Sequence, residues 1–150
     1  MTKFYDTIHV EIHREVYKMK NKVIDYVTPA TACEFIGISR KSISQISLWI
    51  KQKRIHGVYK FGNNWAIPIS WVKSECIERG LSFQGVQLSN EEVGVSLNDY
   101  SPIAEIFKGN KLELDRTYNR MRSNTFNGDY IKFGNAYGIR KEAIKWNIVN

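Results

Sequence analysis

The spacing of apolar residues changes along the chain from a helical period to an alternating one, and this change marks the predicted elements. Near the start, apolar residues recur three or four positions apart, at Phe4, Ile8, Ile12, Val16, Met19 and Val23. This stripe predicts an N-terminal helix. Residues 7–12 also alternate and are rich in β-branched side chains, which leaves a strand as the alternative there.

Two further helices are predicted from the residues at their ends. Thr28 can accept hydrogen bonds from the free N–H groups of a first turn, and Pro29 suits the first helical position. Gly37 is expected to end this helix in a left-handed conformation. Ser39 is expected to cap a second helix, and the apolar pattern extends that helix over about residues 40–52, with a buried stripe of Ile43, Ile46, Trp49 and Ile50.

A β-hairpin is predicted after the second helix. Residues 58–68 alternate between apolar and polar, and they are interrupted at residues 62–64 by Gly-Asn-Asn, a typical turn. Pro68 is expected to end the pairing, because proline has no N–H to donate. Ser70 is then expected to cap another helix, which Gly80 ends.

The same order of elements recurs in the second part of the chain. Residues 131–139 repeat residues 59–67 with a shift of 72 positions, sharing Lys, Phe, Gly, Asn and Ile in register. Upstream, Ser101 and Pro102 would reproduce the earlier Thr-Pro helix start. A helix is predicted over residues 112–122, with Leu112, Leu114, Tyr118 and Met121 facing the core, and a last helix is predicted from residue 141 to residue 146. A repeated supersecondary unit explains these matches better than coincidence does.

The predicted fold class is α+β, mainly α, with two tandem winged helix-turn-helix modules. Each module has helices plus a two-stranded β-wing. Residues 81–97 contain no Lys or Arg and no helical period, so they are expected to form a linker with room for a short strand. The predicted boundaries are an N-terminal helical arm at 1–25, module 1 at 26–80, the linker at 81–97 and module 2 at 98–150.

Composition places this fold among packed, water-soluble proteins. The chain of 150 residues is 43% hydrophobic and 13% aromatic, which is typical of a globule rather than of a disordered tail. Its apolar runs are only a few residues long, so no transmembrane helix is predicted. The first residues lack the apolar core of a signal peptide. We therefore expect a cytoplasmic protein with no membrane partner.

Positive charge is concentrated in module 1. The net charge of the chain is +7. Residues 26–80 carry eight Lys/Arg against three Asp/Glu, whereas residues 98–150 carry nine against six. A basic surface favours a polyanionic partner, and the distribution indicates that module 1 is where such a partner would bind.

No catalytic or metal-binding constellation stands out in the sequence. Cys33 and Cys76 lie far apart and outside any CxxC pair, so both are expected to be buried, reduced thiols. His9 and His13 would share one face of a helix, which is half of a metal site, but no third ligand accompanies them. A nucleophile elbow and a phosphate-binding glycine loop are also lacking. The chain is predicted not to be an enzyme and to need neither a cofactor nor a metal.

Nineteen residues between positions 28 and 68 occur in an order that is typical of one family of DNA-binding proteins. They are Thr28, Pro29, Ala32, Ile36, Gly37, Ser39, Arg40, Trp49, Ile50, Lys51, Ile55, Gly57, Val58, Lys60, Phe61, Gly62, Trp65, Ile67 and Pro68. With them, residues 26–73 resemble the excisionase-like, MerR-type winged helix-turn-helix family, and residues 99–146 resemble it more weakly. The resemblance has two departures. The span between the turn and the Trp-Ile-Lys sequence is longer than in the family pattern, and the wing tip has Asn where the family often has Arg or Lys.

The resemblance implies that each module binds double-stranded DNA, with its second helix in the major groove. Arg and Gln near the start of that helix would read bases, while Lys and Ser would hold phosphates. In module 1 the predicted DNA-binding residues are Ser39, Arg40, Lys41, Ser44, Gln45, Lys51, Lys53, Arg54, Lys60, Asn63 and Asn64. In module 2 they are Arg116, Asn119, Arg120, Arg122, Lys132 and Asn135.

The predicted function is therefore sequence-specific binding of double-stranded DNA, by a small transcriptional regulator or an excisionase-like architectural factor of a phage, plasmid or other mobile element. The alternative is an interaction protein on the same scaffold, such as an inhibitor or accessory subunit of a nucleic-acid enzyme. Glu113 and Asp115 favour this alternative, because they would repel phosphate at the start of the second recognition helix. Module 2 would then bind the protein partner, and the N-terminal arm could form a homodimer.

Overall fold

The computed structural model describes residues 19–144, and these residues form an α+β fold with three small sheets. His9, His13 and most of the predicted N-terminal arm lie outside the described residues. In chain order the elements are β1 (Lys20–Val23), β2 (Tyr26–Val27), α1 (Pro29–Ile36), a 3-10 turn (Arg40–Ser42), α2 (Ile43–Lys51), β3 (Tyr59–Phe61), β4 (Asn64–Pro68), α3 (Ile69–Glu78), β5 (Glu92–Val95), a second 3-10 turn (Leu97–Asp99), β6 (Tyr100–Pro102), α4 (Ile103–Ile106), α5 (Lys111–Arg122), β7 (Tyr130–Phe133) and β8 (Ala136–Arg140). Residues 141–144 begin a further helix.

Helix α1 has the ends that the sequence predicts. The Thr28 hydroxyl accepts a hydrogen bond from the N–H of Thr31 at 3.3 Å, and Pro29 is the first helical residue. Gly37 follows the helix with φ of 76° and donates its N–H to the carbonyl of Cys33. Local capping chemistry therefore sets both ends of the helix.

The second predicted helix begins more tightly than expected. Ser39 accepts a hydrogen bond from the N–H of Lys41 at 3.2 Å and starts a 3-10 turn before α2. A 3-10 turn has three residues per turn instead of 3.6, so it rotates the start of the helix away from the buried stripe. Ile43, which was predicted to be buried, is consequently 37% exposed, while Ile46 and Ile50 are buried.

The hairpin of β3 and β4 is confirmed, and β2 adds a third strand in the order β2-β4-β3. Pro68 ends β4, where it lies opposite Tyr26. The prediction that Ser70 caps the following helix is wrong. Pro68 occupies the N-cap position, and its extended backbone carries strand β4 directly into α3.

The second half of the structure (residues 92–144) repeats the element order of the first half (residues 20–78), and its sheet has the equivalent order β6-β8-β7. Tyr100 lies opposite Arg140 as Tyr26 lies opposite Pro68. The predicted match of Ser101-Pro102 to the earlier Thr-Pro helix start is therefore wrong by one residue. Pro102 is the N-cap residue of α4, and helix α5 begins one residue before its predicted start.

Strand β1 corrects one prediction, whereas β5 is a short strand of the kind for which the predicted linker left room. Residues 20–23 were expected to end an N-terminal helix, but they form a strand parallel to β5, which lies inside the predicted linker. Backbone pairing explains the change: the N–H of Lys20 donates to the carbonyl of Glu91 at 2.8 Å, and that of Ile24 donates to the carbonyl of Val95 at 3.1 Å. Each half therefore begins with a strand, and the two strands join the halves.

The buried residues form three clusters, and one of them belongs to both halves. The first cluster lies among α1, α2, β4 and α3, and the third lies between α5 and β8. The middle cluster consists of Val23, Phe61, Ala66, Leu97, Tyr100, Ile131 and Phe133. Because the halves share this core, their relative orientation is set by packing rather than by a flexible linker. No helix within residues 19–144 is long and apolar enough to cross a bilayer.

Candidate nucleic-acid interface

The outward face of α2 is free of acidic residues, and it combines polar side chains with the exposed apolar side chains of Ile43 and Leu48. Ile46 and Ile50 point into the core, while Ser44, Gln45 and Lys51 are exposed. An exposed helix face in an ordinary globular protein usually mixes Glu with Lys. This face therefore offers hydrogen-bond donors and positive charge without a carboxylate that would repel an anion.

Arg40 has a partner within the protein. Its Nε donates to Oε1 of Glu34 at 2.7 Å, and its Nη2 donates to the same oxygen. The two side chains remain 69% and 50% exposed, and a surface ion pair of this kind contributes only about 0–1 kcal/mol. Arg40 can therefore exchange Glu34 for another acceptor at small cost, although the carboxylate competes with any ligand.

The remaining cations of this region are exposed and lack an ion pair with any carboxylate of residues 19–144. Aromatic rings hold two of them in place. The guanidinium of Arg54 lies 5.4 Å from the centre of the Trp49 ring, and Nζ of Lys60 lies 4.5 Å from that of Trp65. Such cation–π contacts reduce the freedom of a long side chain and leave its charge available. The unpaired cations are Lys41, Lys51, Lys53, Arg54 and Lys60.

The second half repeats this arrangement. Lys132 lies opposite Tyr137 in the hairpin of β7 and β8, and its Nζ is 5.6 Å from the centre of the ring. Lys60 and Trp65 are likewise directly opposite one another, and each residue precedes its equivalent by 72 positions. The sequence comparison matched these residues but missed the cation–aromatic pairs. Their positions on either side of a predicted turn were the available signal, because directly opposed residues share one face of a hairpin.

Helix α5 presents a less uniform surface. Arg116, Asn119, Arg120 and Arg122 are exposed as predicted, but Arg116 is paired with Glu113 at 3.2 Å. Leu112 and Tyr118 were expected to face the core and are instead 61% and 41% exposed. The buried positions on this helix are taken by Thr117 and Met121, with Leu114 packed beside them. The buried stripe therefore consists of Leu114, Thr117 and Met121, which are three and four residues apart. Leu112 and Tyr118 lie outside this stripe.

The tips of the two hairpins bind each other. Nδ2 of Asn64 donates to Oδ1 of Asn135 at 2.7 Å and to the carbonyl oxygen of Phe133 at 3.3 Å. A Cβ atom on Gly134 would lie 2.5 Å from Oδ1 of Asn64, so a side chain there would displace the Asn64 amide from this contact. Of the three predicted wing-tip asparagines, two are thus bonded to one another, while Asn63 is exposed.

Both cysteines of the chain are buried. Burial raises the pKa of both thiols, Cys33 and Cys76, so they stay protonated at neutral pH. Within residues 19–144, no three His, Cys, Asp or Glu side chains come together as a metal site requires. The indole N–H of Trp49 is buried and has no hydrogen-bond partner in the described part of the chain.

Comparison of the chain with protein-family models, with characterised proteins and with solved structures found no match. The resemblance of residues 26–73 to excisionase-like proteins remains a prediction from the sequence.

Proposed function

We propose that the protein binds double-stranded DNA in a sequence-dependent manner, as a small transcriptional regulator or an excisionase-like architectural factor of a mobile element. One observation carries the proposal. Residues 35–74 contain seven Lys/Arg and no Asp/Glu, and they form α2, the turn after it and the first hairpin. Glu34 lies beside this segment through its pair with Arg40, but a surface with this excess of positive charge suits the phosphate backbone of a duplex.

In this proposal each half is a winged helix-turn-helix module. The start of α2 enters the major groove, where Gln45 and Arg40 meet base edges. Arg40 exchanges Glu34 for a base or a phosphate when DNA binds. The turn after α2 and the first hairpin, which is the wing, hold phosphates through Lys51, Lys53, Arg54 and Lys60.

The second half contributes a weaker DNA contact. Arg120, Arg122 and Lys132 are exposed and lack ion pairs within residues 19–144. However, α5 also carries Glu113 and Asp115 near its start, where a recognition helix approaches the bases. We expect the first half to supply most of the sequence preference and the second half to add affinity.

Salt dependence tests the proposal directly. Phosphate contacts by six of these cations predict that affinity for a mixed-sequence duplex falls about a thousandfold between ~50 and ~200 mM salt. The six are Lys51, Lys53, Arg54, Lys60, Arg122 and Lys132. Fluorescence anisotropy with a labelled duplex measures this fall, and selection from random duplexes then shows whether a sequence is preferred. A folded protein that binds no duplex at ~50 mM salt would rule out the proposed function.

The exposed apolar side chains of α5 favour a second candidate, an interaction protein of a phage or mobile element that acts on a nucleic-acid enzyme. Leu112 and Tyr118 stand on the same helix as Glu113 and Asp115, and exposed apolar groups beside charges are typical of protein interfaces. This candidate predicts that Leu112→Ser abolishes partner binding. If Leu112→Ser instead leaves such binding intact, the helix is not the contact surface.

A further inference from the structure

The two hairpins meet through equivalent residues. Phe61 and Phe133 are 72 positions apart in the sequence, and their rings pack edge to face with centroids 5.9 Å apart. Both rings are buried in the core that the two halves share. A contact between a residue and its own equivalent is expected on a two-fold axis.

The contacts beside these rings are reciprocal. Gly62, which follows Phe61, faces Ala136: a Cβ built on the glycine would lie 3.0 Å from that of the alanine. Gly134, which follows Phe133, faces Asn64 in the same way. Ala136 is the equivalent of Asn64 under the shift of 72 positions. The contact of Gly62 with Ala136 therefore has a counterpart in the contact of Gly134 with Asn64, in which the two hairpins exchange roles. Such reciprocal contacts define an isologous interface.

Two surface grooves show the same exchange. Gly62 and Asn63 of the first hairpin line one groove together with Ile103 of α4. Lys132 of the second hairpin lines the other groove together with Thr31 of α1. Each hairpin therefore reaches the first helix of the opposite half. If the two halves were packed head to tail, only one hairpin would reach the first helix of the opposite half, and only one of the two grooves would form.

The two-fold relation is approximate. β1 and β5 run in the same direction, with Lys20 opposite Glu92 and Val23 opposite Val95, and a two-fold axis relating parallel strands must lie along them. However, each residue of β1 pairs with its own equivalent in β5, and paired residues of parallel strands point to the same face of the sheet. A two-fold rotation about an axis along the strands would instead place equivalent side chains on opposite faces. The hairpins and grooves are therefore related by a two-fold rotation, whereas strands β1 and β5 are not.

We infer that the protein recognises an imperfect inverted repeat in duplex DNA, with one fixed spacing between its half-sites. The inference rests on the proposed DNA binding. Two surfaces related by a two-fold rotation can contact one duplex in the same way only if the two-fold axis of the duplex coincides with theirs. A direct repeat would instead require a translation along the duplex. The shared core holds the halves at one separation, so the spacing is fixed.

The two half-sites are unequal because the helices that read them differ. Residues 40–51 contain no Asp or Glu, whereas α5 contains Glu113 and Asp115. Phosphate repulsion at the start of α5 weakens the second half-site. The repeat should therefore have one well-defined half and one degenerate half.

Selection from random duplexes with the full chain tests the inference. The enriched sequence is then built into four duplexes: the inverted repeat, a direct repeat of the stronger half, that half alone, and the inverted repeat with about half a helical turn, ~5 base pairs, inserted at its centre. The inverted repeat should bind about a hundredfold tighter than the other three. Equal binding to the direct repeat, or tolerance of the insertion, would overturn the inference.

A matched pair of variants assigns the halves. Lys60→Ala should expose the strong half-site to footprinting reagents, and Lys132→Ala should expose the degenerate half-site, each with little change at the other end. Enrichment of a single half-site, or binding of two separate duplexes by one chain, overturns the inference and leaves DNA binding in place. Absence of any enrichment overturns the proposed function itself.

Discussion

Arg40 combines two roles at the surface of the first half. Its guanidinium is bound by Glu34 through two N–H groups, yet it stands at the start of the helix proposed to read DNA. The pair keeps the long side chain in one place before a ligand arrives. In the proposed complex with DNA, the pair would also set a carboxylate near the phosphates, and Glu34 would then add specificity, because only a base that binds Arg40 better than Glu34 does would displace it.

Substitution of either partner separates these roles. Arg40→Ala should weaken binding to the preferred duplex by about 1–3 kcal/mol and relax one base position. Glu34→Gln should strengthen binding to all duplexes, because it removes a negative charge and frees Arg40. Anisotropy titrations of preferred and scrambled duplexes measure both effects. Equal weakening of both duplexes by Arg40→Ala would show that the side chain holds phosphate and does not read a base.

At the scale of single elements, prediction succeeds where the signal is local. The ends of α1 are set by Thr28, Pro29 and Gly37, which lie within one turn of the residues they cap. The first hairpin is set by its turn, and α5 differs from its prediction by one residue. Neighbouring residues carry this information, so a sequence contains it without knowledge of the fold.

The elements that were missed depend on distant partners. Lys20–Val23 lies at the end of a helical apolar stripe that begins at Phe4, but its backbone pairs with residues 72 positions further on. The candidate site shows the same division. Exposure of Gln45 and Lys51 follows from the pattern of α2, whereas the bond between Asn64 and Asn135 depends on how the two halves meet. Nonlocal packing overrides local preference in both cases.

Gly138 lies where the two hairpins pack together, and a side chain at this position should lower the stability of the protein. A Cβ atom there would lie 2.5 Å from Cζ of Phe61 and 3.0 Å from the backbone oxygen of Ser101. Gly138→Ala should therefore lower the free energy of unfolding by about 1–3 kcal/mol through overpacking. Denaturant titration measures the change.

A double-mutant cycle supplies the control for this prediction. Phe61→Leu shortens the side chain that the new methyl group would meet. Gly138→Ala should then cost less in the Phe61→Leu background than in the wild type, because the two residues are in contact. Equal costs in both backgrounds would mean that Phe61 is not what excludes a side chain at Gly138.

At the scale of the whole molecule, polar contacts reinforce the shared core. Oδ1 of Asp129 accepts hydrogen bonds from Nδ2 of Asn21 and from the Tyr100 hydroxyl, each at 2.6 Å. Arg140 also binds Asp129 and donates to the Tyr100 hydroxyl at 2.9 Å. The first strand of one half is thus tied to the sheet of the other, next to the buried ring of Tyr100.

This network predicts a loss of stability in alkali. Burial raises the pKa of the Tyr100 hydroxyl above its usual range, and its hydrogen bond to Asp129 raises it further. In the unfolded chain the hydroxyl ionises near pH ~10. The contribution of the protonated Tyr100 hydroxyl to the free energy of unfolding is therefore complete below that pH. It is lost as the pH rises towards the pKa of this hydroxyl in the folded state. Denaturant unfolding between pH ~8 and ~11 should show a falling free energy of unfolding.

Tyrosine variants test the origin of that fall. Tyr100→Phe should lower stability at neutral pH, because it leaves Asp129 and Arg140 with one partner fewer, and it should make the alkaline fall shallower. Tyr118→Phe, at an exposed ring on α5, is the matched control and should leave the pH dependence unchanged. A Tyr100→Phe protein with the same pH dependence as the wild type would assign the fall to other groups.

The shared core also predicts that the two halves unfold together. Phe61, Ala66 and Phe133 are buried by contacts between the halves, so separating the halves would expose them and cost roughly 25 cal/mol for each Å² of apolar surface. Neither half can unfold without removing part of the core of the other. Circular dichroism and tryptophan fluorescence should therefore report one coincident denaturant transition.

Three of the four tryptophans, Trp49, Trp65 and Trp71, lie in the first half, so fluorescence follows that half selectively. If the fluorescence transition preceded or followed the circular dichroism transition, the halves would be independent units, and the fixed spacing inferred for the DNA site would lose its physical basis.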